Sequence, residues 1–137
     1  MTKTGLLKRV DAVTVRVPDL DDGLRFYRDV LGHRLRWRND SLGQLALELP
    51  DDKTELVLTT EQDYEPNWLV DSVDDSVETF RKRGGTVAVE PFDIPVGRVA
   101  VVLDPFGNAL VLIDLSTGTY VSDATGAVTG VVRDTEG

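Results

Sequence analysis

One stretch of this chain is written twice, and that duplication restricts the architecture more than any other feature. Val17-Pro18-Asp19-Leu20-Asp21-Asp22-Gly23-Leu24-Arg25-Phe26-Tyr27 lies without a gap over Val70-Asp71-Ser72-Val73-Asp74-Asp75-Ser76-Val77-Glu78-Thr79-Phe80. Val17 falls on Val70, Asp21 on Asp74, Asp22 on Asp75 and the ring of Tyr27 on that of Phe80; continued, the overlay brings Gly32 onto Gly85. Self-similarity at one fixed spacing marks a structural unit used more than once.

Each copy carries the same local physics. Asp19 with Asp22, and Ser72 with Asp75, have the spacing of a helix N-cap and its partner. Asp21–Asp22 and Asp74–Asp75 suit the positive end of a helix dipole. Leu20, Leu24, Tyr27 and Leu31 form one apolar stripe, as do Val73, Val77 and Phe80. Gly32 and Gly84–Gly85 supply the left-handed residue that ends a helix. Alternating strands surround both helices: residues 12–17, 33–38, 44–49 and 55–60 in the first copy, and 67–70, 86–90, 98–103 and 109–114 in the second. Asn39-Asp40, Pro50-Asp51-Asp52 and Asp104-Pro105-Phe106-Gly107-Asn108 are the turns. The expected fold class is α+β: two tandem βαβββ modules, about 10–60 and 65–115, in one domain spanning 1–137. The linker 61–66 is short and polar. In the tail, 116–137, residues 118–123 and 127–132 flank Ala124-Thr125-Gly126 as a hairpin.

Composition excludes several function classes. Twenty-four acidic against fifteen basic residues give a net charge of −9, which repels phosphate backbones and anionic lipid surfaces. Neither nucleic acid nor a membrane is an expected partner. Met1–Val10 carries Lys3, Lys8 and Arg9 but no apolar core of a signal peptide, so a cytoplasmic location is expected. With no cysteine, there is no disulfide, thiolate nucleophile or zinc–sulfur site.

The motifs Val17-Pro18-Asp19-Leu20, Phe26-Tyr27-Arg28-Asp29-Val30-Leu31-Gly32, Glu90-Pro91, Gly97-Arg98-Val99-Ala100-Val101 and Asp104-Pro105-Phe106-Gly107-Asn108, in this order and with the repeat, resemble the vicinal-oxygen-chelate superfamily of glyoxalase, bleomycin-resistance and dioxygenase proteins. The resemblance covers about residues 10–115. It implies that each module curls its sheet into a half-open cup with the helix outside, and that the two cups enclose a small molecule. It also implies a divalent metal in enzymatic members, held by a first-strand residue and a last-strand glutamate of each module and acting as a Lewis acid. The resemblance places those positions at Ala12, Val57 or Glu55, Glu65 and Val111. Apolar side chains cannot coordinate a cation, so no metal and no cofactor is expected.

Alternation assigns the remaining candidates. Thr14, Arg16, Arg34, Arg36 and Arg38 of the first module, and Asn67, Leu69, Arg98, Val102 and Val111 of the second, are expected on the cup face as ligand contacts. Arg34, Arg36 and Arg38 would project to one side, either clamping a carboxylate or phosphate or pairing with Glu48 or Glu55. Glu55 and Glu65 are the candidate catalytic pair, since burial raises a carboxyl pKa toward neutrality; the plainer reading places them on a solvated rim. His33 shares a face with Leu35 and Trp37, the side packed on the helix, which argues against a Ser-His-Asp arrangement. Trp37 and Trp68 are expected in the core. The expected function is metal-free binding of an amphipathic or aromatic small molecule in the cup between the modules. The alternatives are a glyoxalase-like lyase or isomerase, a dioxygenase-family enzyme, metal-free or metal-dependent, or an interaction module. A homodimer is expected, as in many relatives with two modules.

Overall fold

In a computed structural model of the chain, residues 5–133 are described; Lys3 and the end of the expected domain, 134–137, lie outside them. The chain divides into two compact units. Asp11–Pro66 form one with Tyr120–Val132; residues 5–10 form the other with Asn67–Thr119 and Arg133. These are modules one and two, and the tail from Tyr120 to Val132 belongs with module one.

Module one holds β1 (Arg9–Arg16), α1 (Leu20–Leu24), β2 (Leu35–Asn39), β3 (Gln44–Leu49) and β4 (Asp52–Thr59), with strand order β2-β3-β4-β1. β1 and β4 run parallel, Thr14 opposite Val57; β3 pairs antiparallel with β2 and β4. Asp19 caps α1, its Oδ1 accepting from Asp22 N at 3.0 Å. Val17, Leu20, Leu24, Leu45, Leu47 and Leu58 form the buried core between helix and sheet.

Helix one differs from the expected stripe. After Leu24 it continues as a π-helical turn, Arg25–Val30, in which Leu31 N donates to Phe26 O. A π turn takes more residues per revolution, so the 4-3-4 spacing stops pointing at the core. Tyr27 remains half-buried against the core, while Phe26, Val30 and Leu31 are exposed.

Module two repeats the plan with β5 (Glu65–Leu69), α2 (Val73–Lys82), β6 (Thr86–Ile94), β7 (Gly97–Leu103) and β8 (Ala109–Asp114). Its strand order is β5-β8-β7-β6, with β5 and β8 parallel and Asn67 opposite Val111. Ser72 caps α2, accepting from Asp75 N at 3.2 Å. Val70, Val73, Val77, Ala100, Val102 and Leu112 are its buried core, with Trp68 and Phe80 packed against them.

Asp114 fastens α2 to the sheet. Its carboxylate accepts from Val73 N at 2.8 Å, Arg98 N at 3.1 Å and the Ser116 hydroxyl at 2.7 Å. The tail forms the expected hairpin, β9 (Thr119–Ser122) and β10 (Val128–Val132), closed by Gly126 at φ 89°. Among the described residues no helix is long and apolar enough to cross a membrane.

Candidate functional site

The register settles which residue of module one answers to Val111. Thr14 and Asn67 are equivalent under the repeat, and they pair with Val57 and Val111. Val57 is therefore the counterpart, and Glu55 sits two residues earlier, opposite Ala12. Ala12, Val57 and Val111 are 6%, 4% and 7% exposed, which leaves Glu65 alone of the four positions with an oxygen donor. Among the described residues no group of three or more His, Asp or Glu is placed to hold a metal ion. This donor set does not fit a divalent metal of the kind the resemblance implies.

Arg34, Arg36 and Arg38 do not share a face. Leu35 pairs with Leu47 but Trp37 with Ala46, so β2 carries one extra residue, Arg36, against β3. A one-residue bulge inverts every side chain beyond it. Arg38 moves to the helix side, where its guanidinium binds Asp21 of α1 at 2.8 Å and Asp40 at 2.7 Å. Trp37 moves the other way, joining Ala12, Ala46 and Val57 in a second buried cluster. Placing Trp37 on the helix-packed side is thus corrected by the bulge. Arg34 is exposed, its carbonyl accepting from Glu48 N. Arg16 is exposed beside Asp63 at 3.4 Å, and Thr14 donates to the linker carbonyls of Asp63 and Glu65 at 2.6 and 3.1 Å.

Glu55 is the most unusual carboxyl in this module. Its Oε2 accepts from Trp37 Nε1 at 3.1 Å and from Arg36 Nη1 at 3.3 Å. Burial, helped by the charge of Asp11, pushes its pKa up; the Trp37 and Arg36 hydrogen bonds oppose the rise. Glu65 is also raised, by burial and then by Asp63. A raised folded-state pKa gives stability that is present at low pH and lost as pH rises through that pKa. Glu55→Gln should therefore stabilise the fold at pH 7 and change it little below the ordinary carboxyl range, about pH 4. Urea midpoints at the two pH values check this. His33 Nδ1 lies 3.1 Å from Glu48 O.

In module two, the face assignment of β7 is reversed. Arg98, Ala100 and Val102 look toward α2: Ala100 and Val102 are in its core, and Arg98 binds Asp74 of α2 at 3.2 Å and Asp93 at 2.6 Å. Both faces of β7 are apolar, so alternation separated its residues into two sets without saying which set meets the helix. A surface depression of about 370 Å³ beside Arg98 and Arg81 holds both cations already paired, Arg81 with Glu78 and Glu90.

The face opposite α2 is consequently built from other residues. Register places Val99 and Val101 of β7 with Val111 and Ile113 of β8, and with Val89 and Phe92 of β6. Asn67 and Leu69 continue it on β5. Val89 and Phe92 remain 42% and 46% exposed, so this is an apolar sheet face with an open side. Sequence reasoning placed Asn67, Leu69 and Val111 there but missed Phe92, Val99 and Val101. Bulges in β6 between Val87 and Val89 and between Val89 and Phe92 hide Phe92 from simple alternation.

Comparison with known proteins agrees with this fold. Residues 9–112 match the family described as the Glyoxalase/Bleomycin resistance protein/Dioxygenase superfamily. Similar solved structures include methylmalonyl-CoA epimerase from Mycobacterium tuberculosis, with TM-score 0.63 and 21% identity over 83% of this chain and 92% of that one. A variant of the Streptomyces coelicolor methylmalonyl-CoA epimerase in complex with 2-nitronate-propionyl-CoA gives 0.61 and 22% over 79% and 97%. A hypothetical protein from Bacillus halodurans gives 0.61 and 17% over 77% and 93%. At these identities the likeness is one of fold. No curated protein matches the chain. The duplicated βαβββ unit, its strand order and the span of the family match coincide, and the chain belongs to the Glyoxalase/Bleomycin resistance protein/Dioxygenase superfamily.

Proposed function

We propose that this protein binds a small amphipathic or aromatic molecule on the apolar face of module two, without a catalytic metal or other cofactor. The open side of that face at Val89 and Phe92 carries the reading, because concave apolar surfaces with few polar groups are the usual seats of such ligands. The apolar residues at three of the four metal positions support the metal-free part. The test uses the fluorescent probe 1-anilinonaphthalene-8-sulfonate, which joins aromatic rings to one anionic group. Saturable one-site binding, weakened at least about tenfold by Phe92→Glu, is expected, since that change introduces a charge into the contact. Affinity unchanged from the parent in both Phe92→Glu and Val89→Glu overturns the reading.

A second reading rests on Glu55. A carboxyl raised by burial is suited to moving a proton near neutral pH, and the similar epimerases are named for a CoA ester substrate. On this reading the protein is a metal-independent lyase or isomerase, with CoA thioesters the first substrate class to assay. Turnover that survives chelation and is lost in Glu55→Gln supports it; equal turnover in the Glu55→Gln/Glu65→Gln double variant removes both as catalysts. The protein is further proposed to act in the cytoplasm as a homodimer, and the exposed Phe26, Val30 and Leu31 are consistent with a paired surface. Light scattering at micromolar concentration should give the dimer mass; a monomer mass overturns the pairing.

A further inference from the structure

Module one presents a different surface from the open face of module two. Ala12, Ala46 and Val57 are small side chains on three neighbouring strands, with Trp37 as a wall. Three small residues beside one large ring leave a hollow in the sheet face. One tail side chain fills it: the Tyr120 ring lies 4.6 Å from that of Trp37, tilted by 53°, and Val128 packs beside it. Burial pushes the Tyr120 hydroxyl's pKa up and the Asn39 side chain opposes the rise, so a polar group stands near its oxygen. The ring thus receives an aromatic wall, an apolar floor and a polar group near its oxygen, which are the surroundings a phenol needs in a binding site.

The rest of the hairpin is lightly held. Val121 and Val132 are exposed, as are Ser122–Thr125 between the strands. Among the described residues it is tied to the sheet by a hydrogen bond from Arg38 N to Gly126 O at 2.7 Å, a bridge between Arg38 and Ala127, and a long contact from the Ser122 hydroxyl to Arg36 O. Two-stranded hairpins are marginal on their own, so its position depends on Tyr120 and Val128.

We propose that the Trp37 hollow is a phenol-binding subsite whose built-in occupant is Tyr120, and that a phenol-class ligand takes the hollow by displacing the hairpin. The ligand class follows from what already sits there: one ring, one hydroxyl, no charge. The subsite is built from module-one and tail residues alone, and its test is arranged so that either reading can fail alone.

The probe is 4-methylphenol, the tyrosine side chain as a free molecule. The measurements use the full chain carrying Phe92→Glu, which removes the module-two contact, and Trp68→Phe, which leaves Trp37 as the reporter. In Tyr120→Ala, acrylamide should reach Trp37 readily. Added 4-methylphenol should restore its protection, with affinity at least about tenfold tighter than when Tyr120 is present, because the ligand no longer competes with a tethered ring. With Tyr120 in place, saturating 4-methylphenol should speed hydrogen exchange at the Asp123 and Gly126 amides, which close the hairpin. Tyr120→Leu retains apolar bulk and serves if the alanine variant does not fold; it should bind the probe with intermediate affinity. Equal affinity with and without Tyr120 overturns the proposal, as does no saturable binding, or binding that leaves Trp37 quenching unchanged.

Discussion

Asp114→Ala is expected to lower the free energy of unfolding by about 3–5 kcal/mol, read from a urea titration. The carboxylate is 3% exposed and accepts from Val73 N, Arg98 N, Ser116 N and the Ser116 hydroxyl. Removing it leaves backbone donors at the start of α2 and of β7 without partners in a water-poor region. Burial alone pushes this carboxyl up, but the hydrogen bonds outweigh burial and hold it below its ordinary range. The sign follows: the contribution is complete above the unfolded-state pKa, about 3.9, and disappears as pH falls through the folded-state value. The difference between parent and Asp114→Ala should therefore be constant at neutral pH and shrink on acidification. A loss below about 1 kcal/mol would show the carboxylate to be replaceable by water.

The second large effect is a pair whose single changes do not add. Leu58 is fully buried in the module-one core, and Leu58→Ala should remove about 3 kcal/mol. Gly23 faces it from α1: a methyl group there would stand 2.8 Å from Leu58 Cδ1 and 3.3 Å from Val17 Cγ1. Gly23→Ala alone gains helix propensity of about 1 kcal/mol but overpacks the core by about 1–3 kcal/mol. In the double variant the new methyl enters the space Leu58 vacates, and the propensity gain is kept. The double should be more stable than the sum of the singles predicts by about 1 kcal/mol or more. Additivity within experimental error would mean that helix and strand move apart to admit the methyl, and that Gly23 is not fitted to Leu58.

Much of this architecture was legible because the repeat doubled every signal. Asp19 and Ser72 cap as their spacing predicts, and the stripe Val73, Val77 and Phe80 packs into the module-two core. What alternation could not deliver was the face of a residue lying beyond a bulge. One extra residue at Arg36 sent Trp37 to the inner face and Arg38 to α1, and no local propensity marks that insertion. Arg98 and Val102 were misplaced for another reason: β7 is apolar on both sides, so only the partner helix decides. Tyr120 was invisible as a site residue, because its significance comes from a contact with Trp37 far away in sequence. The repeat left Val57 and Glu55 as alternatives for the last-strand position of module one, and the β1–β4 register decides for Val57.

The assignment of the tail to module one has a consequence for synthesis. All four strands of that module's sheet are made once the ribosome has passed Thr59, yet the ring that fills their hollow comes from residue 120. At about 5–20 residues per second, the intervening stretch takes on the order of 3–12 s to make. Over that interval a nascent module one displays Trp37 uncovered, so a chaperone or a free aryl compound in the cell encounters the hollow before the chain's own tyrosine can.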